Sequence, residues 1–420
     1  MNLLLIGGGG REHALAWKLS ESPRLTKLFI APGNAGTATI GENVALDIKD
    51  HKAVARFCKE EDIGFVVVGP DEPLAEGIVD SLQSAHMLVF GATKAAAKLE
   101  WSKAFAKEFM KRHGIPSAAS ETFSKFDDAL AYVKTRPLPI VLKADGLALG
   151  KGVVIAKEAK EAEDTLRSFM VDEQFGDSGK TVVIEEFLEG TEISIHAFCD
   201  GTTAKLFPPS RDHKRAADGD QGANTGGMGT IAPLKVPEGF LEEVDREIVS
   251  RVMKGMKEEG APFSGLLYPG LMATKDGLKV IEFNARFGDP ETEAYMRILD
   301  TDLLDILLDC AEGKLAGRDI RWNGEYVCNV VIASAGYPGK YKAGYPIDGL
   351  GSITDPSVIV FQAGTEQKGE DVITAGGRVL DVSALGPTPE EAKATAYAAV
   401  KSIQFDGMQY RTDIGANWNL

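Results

Sequence analysis

The chain has 420 residues, with 46 lysines and arginines against 62 aspartates and glutamates, a formal net charge of −16. That balance argues against a nucleic-acid backbone as the main partner, because phosphate binding needs a basic footprint, while 44% apolar and 26% charged residues exclude general disorder. No apolar run approaches the roughly 18 residues of a membrane span, and Leu3-Leu4-Leu5-Ile6 lacks the basic flank of a signal peptide, so a cytoplasmic protein of roughly two to four domains is expected.

Asn2 to Ile6, Lys27 to Ala31, Ile63 to Gly69 and Met87 to Gly91 are short apolar runs that end near Gly or Pro and alternate with helical patterns, the rhythm of a parallel α/β sheet. The first run leads into Gly7-Gly8-Gly9-Gly10-Arg11-Glu12-His13, where a strand opening into a helix can aim backbone N–H groups at a phosphate. A dinucleotide site is disfavoured. Its third fingerprint glycine would fall at Glu12, and Ile30 to Gly36 offers no acidic residue for a ribose 2′-hydroxyl. A phosphate, a small polar substrate or a tight turn without a ligand remain open. Trp101, Phe105 and Phe109 recur every four residues beside a row of Lys103, Lys107 and Lys111, which predicts an amphipathic helix from Trp101 to His113.

Next come strand-like stretches at Pro139 to Lys143, Lys151 to Ala156 and Thr181 to Glu186, a small antiparallel lid compatible with nucleotide binding. The loop Lys143 to Val153 has glycines at 146, 150 and 152 for close backbone approach, bracketed by Lys143 and Lys151 as point charges for phosphate oxygens. It is not a P-loop, since Gly152 stands where Ser or Thr is needed, and a flexible hairpin with solvated lysines would look similar. Glu185-Glu186-Phe187-Leu188 ends an apolar strand in an acidic and apolar hinge that can face an adenine edge and a ribose. Together, loop and hinge favour a nucleotide cleft.

In Val280-Ile281-Glu282-Phe283-Asn284 the strand alternation places Glu282 and Asn284 on one face, two hard oxygen ligands of the kind Mg²⁺ takes alongside phosphate and water; a solvated strand face is the alternative. Arg286-Phe287-Gly288-Asp289-Pro290-Glu291 follows, and Arg286 can clamp a carboxylate or phosphate bidentately. Arg211 to Arg215 concentrates charge and Asn224 to Gly229 supplies glycines and small polar groups; His213 reads as structural. Tyr326 to Ala333, Val358 to Gln362 and Gly377 to Val382 read as strands, followed by an Ala-rich helix from Thr388. Cys58, Cys199, Cys310 and Cys328 are scattered, as reduced structural thiols would be.

Gly8 to Ala14, Ala31 to Gly36, Lys143 to Val153, Asp212 to Arg215, Asn224 to Gly229, Glu282 to Asn284, Arg286 to Glu291 and Gly376 to Val379 together resemble the glycinamide ribonucleotide synthetase family, over essentially the whole chain. The resemblance implies a multidomain α/β and α+β protein with an ATP-grasp fold. Its expected parts are an N-terminal parallel α/β domain over residues 1–102, an ATP-grasp domain over 103–325 with a lid at about 122–190, and a C-terminal α+β domain over 326–420. It implies ATP-dependent ligation of glycine to 5-phosphoribosylamine through a glycyl phosphate, with no protein nucleophile.

By the same resemblance Glu282 and Asn284 would bind Mg²⁺ or Mn²⁺, and Lys103, Lys143, Gly150, Lys151 and Gly152 would approach the ATP phosphates. Glu185, Glu186, Phe187 and Leu188 would line the adenine and Glu192 the ribose. Asp212, Lys214, Arg286 and Asp289 fall on the substrate side, with Gly8, Gly9 and Gly10 near the phosphoribosyl group; Arg286, Asp289 and Lys151 would be catalytic. Small-molecule substrates, a monomer, and no fused downstream domains are expected. Other ATP-grasp carboxylases or formate-using transferases are not expected to carry both the Arg286 to Glu291 and Asn224 to Gly229 segments, and a silent nucleotide sensor is not expected to keep Glu282 and Asn284.

Overall fold

The computed structural model describes residues 1–147 and 152–420. Its N-terminal sheet is parallel, with strands in the order Glu42–Asn43, Lys27–Pro32, Asn2–Gly7, Ile63–Val68 and Val89–Phe90. Leu3, Leu4, Leu5 and Ile6 are all fully buried. Consecutive side chains point to opposite faces, so both faces are covered, and the run is continuously apolar rather than alternating.

The expected helix from Trp101 to His113 is interrupted. Lys94–Trp101 and Lys103–Arg112 are separate helices, because Ser102 leaves the helical backbone at φ −123° and its side chain caps the second by accepting from Phe105 N at 3.2 Å. Trp101 therefore ends one helix while Phe105 and Phe109 begin the apolar row of the next.

The stretches expected to form a lid make a four-stranded antiparallel sheet in the order Ser120–Phe123, Val182–Glu186, Ile140–Ala144, Val153–Ala156. Helices Phe126–Val133 and Ala159–Met170 pack on it and close a small core of its own around Ala129, Leu142, Leu166, Phe169 and Ile184.

In a separate sheet the long strand Ser264–Thr274 pairs antiparallel with Thr191–Ser194, Ala197–Asp200 and Gly277–Asn284. Gly270 pairs with Glu282 but Leu271 with Val280, so Ile281 is an extra residue, a bulge immediately before Glu282. The tail forms a sheet in the order Arg211–Asp212, Gly229–Ala232, Tyr326–Ser334, Arg378–Gly386, Val358–Gln362, with Met408–Gln409 also on Tyr326–Ser334 and helix Pro389–Val400 packed against it. Two of its strands come from the middle of the chain. That stitching carries Asp212 to the C-terminal sheet. Among the described residues no helix is long and apolar enough to cross a membrane.

Candidate active site

The bulged strand Gly277–Asn284 ends in Glu282 and Asn284, and a ring of cations surrounds the Glu282 carboxylate. Lys214 Nζ lies 3.5 Å from Glu282 Oε1 and 3.5 Å from Glu192 Oε2. Burial alone would raise the Glu282 carboxyl, but Lys214, Lys143, Lys103 and Arg286 outweigh it and hold it at about 2. Likewise burial would lower Lys214, but Glu192 and Glu282 raise it well above the ordinary lysine value. Lys103 is held below its usual value by burial, against the pull of Glu282, and donates to Gly146 O at 2.9 Å.

Lys143 donates to Ile281 O, the bulge carbonyl, at 2.9 Å and lies 3.0 Å from Glu185 Oε1. The other oxygen of Glu185 is 3.2 Å from Lys107 Nζ. All three side chains are 4% exposed, so a buried carboxylate is held between two lysines at the end of the strand Val182–Glu186. Glu186 instead accepts from Ala119 N at 3.0 Å and from Lys279 at 3.2 Å, and Phe187 is exposed beyond it. Gly152 is buried immediately before the strand Val153–Ala156. Gly150 and Lys151 lie outside the described residues.

A second cluster is built by the turn from Arg286 to Glu291. Arg286 pairs with Glu100 at 3.1 Å and donates to Asn284 Oδ1 at 3.0 Å, fixing the orientation of the amide. Asp289 pairs with Arg378 at 2.9 Å; burial would raise its carboxyl, but Arg378, Arg11 and Arg286 bring it below the usual value. Arg11 donates to Phe287 O at 3.1 Å, which docks the first glycine loop on this turn.

In that loop Gly9 N donates to Glu12 Oε2 at 2.7 Å, so Glu12 caps the helix Gly10–Ser20 from within. A Cβ on Gly10 would sit 2.5 Å from Glu293 Oε1 and 2.7 Å from Asp381 Oδ2, so only glycine lets the loop pass over these two buried carboxyls.

Asp212, Lys214, Glu192, Ser194, Tyr268 and Ile281 line a small cavity beside Glu282. Burial, then repulsion from Glu291, raises the Asp212 carboxyl well above its usual value despite Lys214 and Arg378. Glu291 is buried and accepts from Tyr268 OH at 2.5 Å and Ser194 Oγ at 3.0 Å. His213 contacts Gly229 O at 3.0 Å and is lowered to about 4 by burial, a neutral structural histidine.

Glu282 and Asn284 are hard oxygen donors, one of them ionised, which fits a hard divalent cation that completes its sphere with phosphate and water. Among the described residues no group of three or more His, Cys, Asp or Glu could hold a metal alone, as such phosphate-sharing sites allow.

Sequence reasoning missed Glu100, which orients Arg286, and Lys107, which shares Glu185. Both sit on helices whose periodicity reads as ordinary amphipathic packing. A charged residue on a buried helical row is the available signal, and Lys107, 6% exposed, carries it.

Three family descriptions match the chain: phosphoribosylglycinamide synthetase N domain over residues 1–100, its ATP-grasp (A) domain over 101–292 and its C domain over 327–417. The phosphoribosylamine–glycine ligase of Mesorhizobium japonicum is 49% identical over 417 residues, covering 99% of this chain and 98% of that one. A bifunctional purine biosynthetic protein of Schizosaccharomyces pombe is 46% identical over 98% of the chain, which spans about half, 53%, of that longer protein. Among solved structures, the phosphoribosylamine–glycine ligase of Thermotoga maritima superposes with a TM-score of 0.86 at 32% identity, covering 99% of this chain and 100% of that one.

Proposed function

This chain belongs to the phosphoribosylglycinamide synthetase family, and we infer that it is a phosphoribosylamine–glycine ligase of purine biosynthesis, joining glycine to 5-phosphoribosylamine with ATP to give glycinamide ribonucleotide, ADP and phosphate. The observation that carries this is the paired oxygens of Glu282 and Asn284 ringed by Lys103, Lys143, Lys214 and Arg286. It is a site suited to polyanionic phosphates, and the reaction requires no protein nucleophile.

Two transfers account for the products. A glycine carboxylate oxygen attacks the γ-phosphorus while the bond to the bridging oxygen breaks and ADP leaves with its electrons. The ribosylamine nitrogen then attacks the carbonyl carbon of glycyl phosphate, phosphate leaves with the C–O pair, and the nitrogen loses a proton. Both steps move negative charge between oxygens, and fixed cations in a partly dry cleft stabilise that charge without reorganising.

Lys103, Lys143 and Lys151, with the glycine backbone at 150 and 152, would hold the triphosphate. Glu185, Glu186, Phe187 and Leu188 would line the adenine and Glu192 the ribose. Arg286, anchored by Glu100, would steady the reacting phosphoryl and carboxylate oxygens. Asp289, fixed by Arg378, joins the substrate side with Asp212 and Lys214; Gly8 to Gly10 would face the phosphoribosyl group. Glu282 and Asn284 would hold Mg²⁺ or Mn²⁺, which when bound neutralises phosphate charge. A cytoplasmic monomer, divided near residues 102 and 325, completes the reading.

Purified protein given ATP, Mg²⁺, glycine and phosphoribosylamine is expected to form ADP and glycinamide ribonucleotide together, and to form neither product in quantity when glycine is omitted. Undiminished ADP release without glycine would overturn the substrate assignment.

A further inference from the structure

Between Lys214 and Thr225 the chain runs out into a ribbon with little local support. Arg215–Ala217 pairs antiparallel with Gln221–Asn224, and among the described residues this two-stranded hairpin joins no other sheet. Its tip, Asp218 to Gln221, is exposed, and a lone hairpin is marginal in water. Yet its base carries a charged group of the site. Lys214 reaches Glu192 and Glu282, and its carbonyl accepts from Thr225 N at 2.8 Å and Thr225 Oγ1 at 2.9 Å across the base. At 3.5 Å from each carboxylate, Lys214 Nζ is shared between them, so its place follows the backbone that carries it.

The fastening comes from the far end of the chain. Arg411 is 1% exposed, among the largest fully buried side chains of the protein. Its Nη1 donates to Arg215 O at 3.1 Å and to Asp220 Oδ1 at 2.8 Å, while Nε and Nη2 each donate to Asp413 at 2.7 Å. Asp413 also accepts from Gly219 N at 2.9 Å. Asp218 accepts from Thr412 N at 2.8 Å and from the Thr412 hydroxyl. Three successive tail residues therefore grip the hairpin at its tip, and Arg411 also grips it beside Lys214. The tail is itself anchored on helix Pro389–Val400, where Tyr397 OH donates to Arg411 O at 2.8 Å and accepts from Ile414 N at 3.0 Å. None of these bonds touches the cation site directly. A planar fork of donors spent on a carboxylate and a backbone carbonyl fixes direction as well as distance.

We propose that Arg411 is a positioning residue for the ligase reaction: by clasping the hairpin it holds Lys214 between Glu192 and Glu282, so the C-terminal tail sets the geometry of the charged site. The assignment rests on the ligase reading and goes beyond it, giving the tail a part in catalysis that passes through Lys214.

The test is a double-mutant cycle on the full chain, read as glycine-dependent ADP formation in single turnovers so that slow variants are still measured. Arg411→Gln is expected to lower the rate constant at saturating ATP and glycine by about 10- to 100-fold, the range for a misplacement of about 1 Å. In the Lys214→Met background the same change should alter the rate by no more than about twofold, because the group it positions is gone. If Arg411→Gln does not fold, Asp218→Ala, which frees the exposed tip from Thr412, is read in the same cycle. An unchanged rate, or an equal fractional loss in both backgrounds as a merely structural role would give, overturns the proposal. Wild-type protein whose ADP formation ignores glycine fails before the cycle begins and overturns the ligase reading instead.

Discussion

Lys107 and Glu185 offer the sharpest energetic prediction. Glu185 lies 3.2 Å from Lys107 and 3.0 Å from Lys143, and all three side chains are 4% exposed. At an effective dielectric of about 20, each contact has a gross Coulomb energy of about 5 kcal/mol, which desolvation largely offsets. Burial accordingly holds Lys107 below its usual value despite Glu185. Removing one partner of a buried pair costs about 3–5 kcal/mol. Because Lys143 still faces Glu185, Lys107→Met should sit near the lower end, a loss of about 3 kcal/mol in unfolding free energy.

The same change should weaken ATP binding. If Lys143 turns to a phosphate, Lys107 is what remains to neutralise Glu185; without it Lys143 is held back, and the ATP KM should rise about tenfold, equivalent to about 1.4 kcal/mol. Adding Glu185→Gln removes the need for either lysine, so the double variant should recover at least about 1.5 kcal/mol relative to the sum of the single losses. Chemical denaturation of the four proteins, with ATP kinetics on each, reads both quantities. Additivity within about 0.5 kcal/mol would refute the shared-carboxylate account.

Glu282→Gln keeps the side-chain shape while removing the charge, so turnover at limiting Mg²⁺ should fall by at least about 10- to 100-fold, the loss that even outer partners of metal ligands cause; unchanged turnover in a magnesium titration would remove Glu282 from the cation site. Gly10→Ala drives a methyl group to within 2.5 Å of Glu293 Oε1 and should destabilise by about 1–3 kcal/mol, read as a shifted unfolding midpoint; an unshifted midpoint would mean the loop gives way freely. Asp381 is raised from 3.8 to about 7 by burial first and then by Asp289, against Arg378 and Asn329. The folded form keeps a proton that the unfolded chain releases, so stability should fall as pH rises from 3.8 to about 7 and level off above. Asp381→Asn should flatten that fall in pH-dependent denaturation; an unaltered slope would refute the assignment.

The parallel N-terminal sheet and the antiparallel sheet around Ile140–Ala144 were legible because their signals are local: Leu3 to Ile6 is a buried run closed by glycines, and Ile140 to Lys143 pairs with Val153 to Ala156, a short way along the chain. Glu282 and Asn284 were legible as a pair because two residues along a strand is a face. The bulge at Ile281 was not, since it is set by pairing with Gly270 and Leu271 on another strand. Ser102 ended a helix that apolar spacing alone carries through, a cap overriding periodicity. Arg211–Asp212 and Gly229–Ala232 joined the C-terminal sheet, a long-range pairing that no local pattern announces. Glu100 acquires its role only when Arg286, far along the chain, folds onto it.

In the proposed reaction the glycine carboxylate takes the γ-phosphoryl group before the amine attacks. Glycine labelled with ¹⁸O in both carboxylate oxygens tests it directly. One labelled oxygen should leave with each inorganic phosphate and one should remain in the amide carbonyl of glycinamide ribonucleotide, both visible by mass spectrometry after a turnover with ATP and phosphoribosylamine. Unlabelled phosphate alongside labelled product would contradict the acyl phosphate and the account built on it.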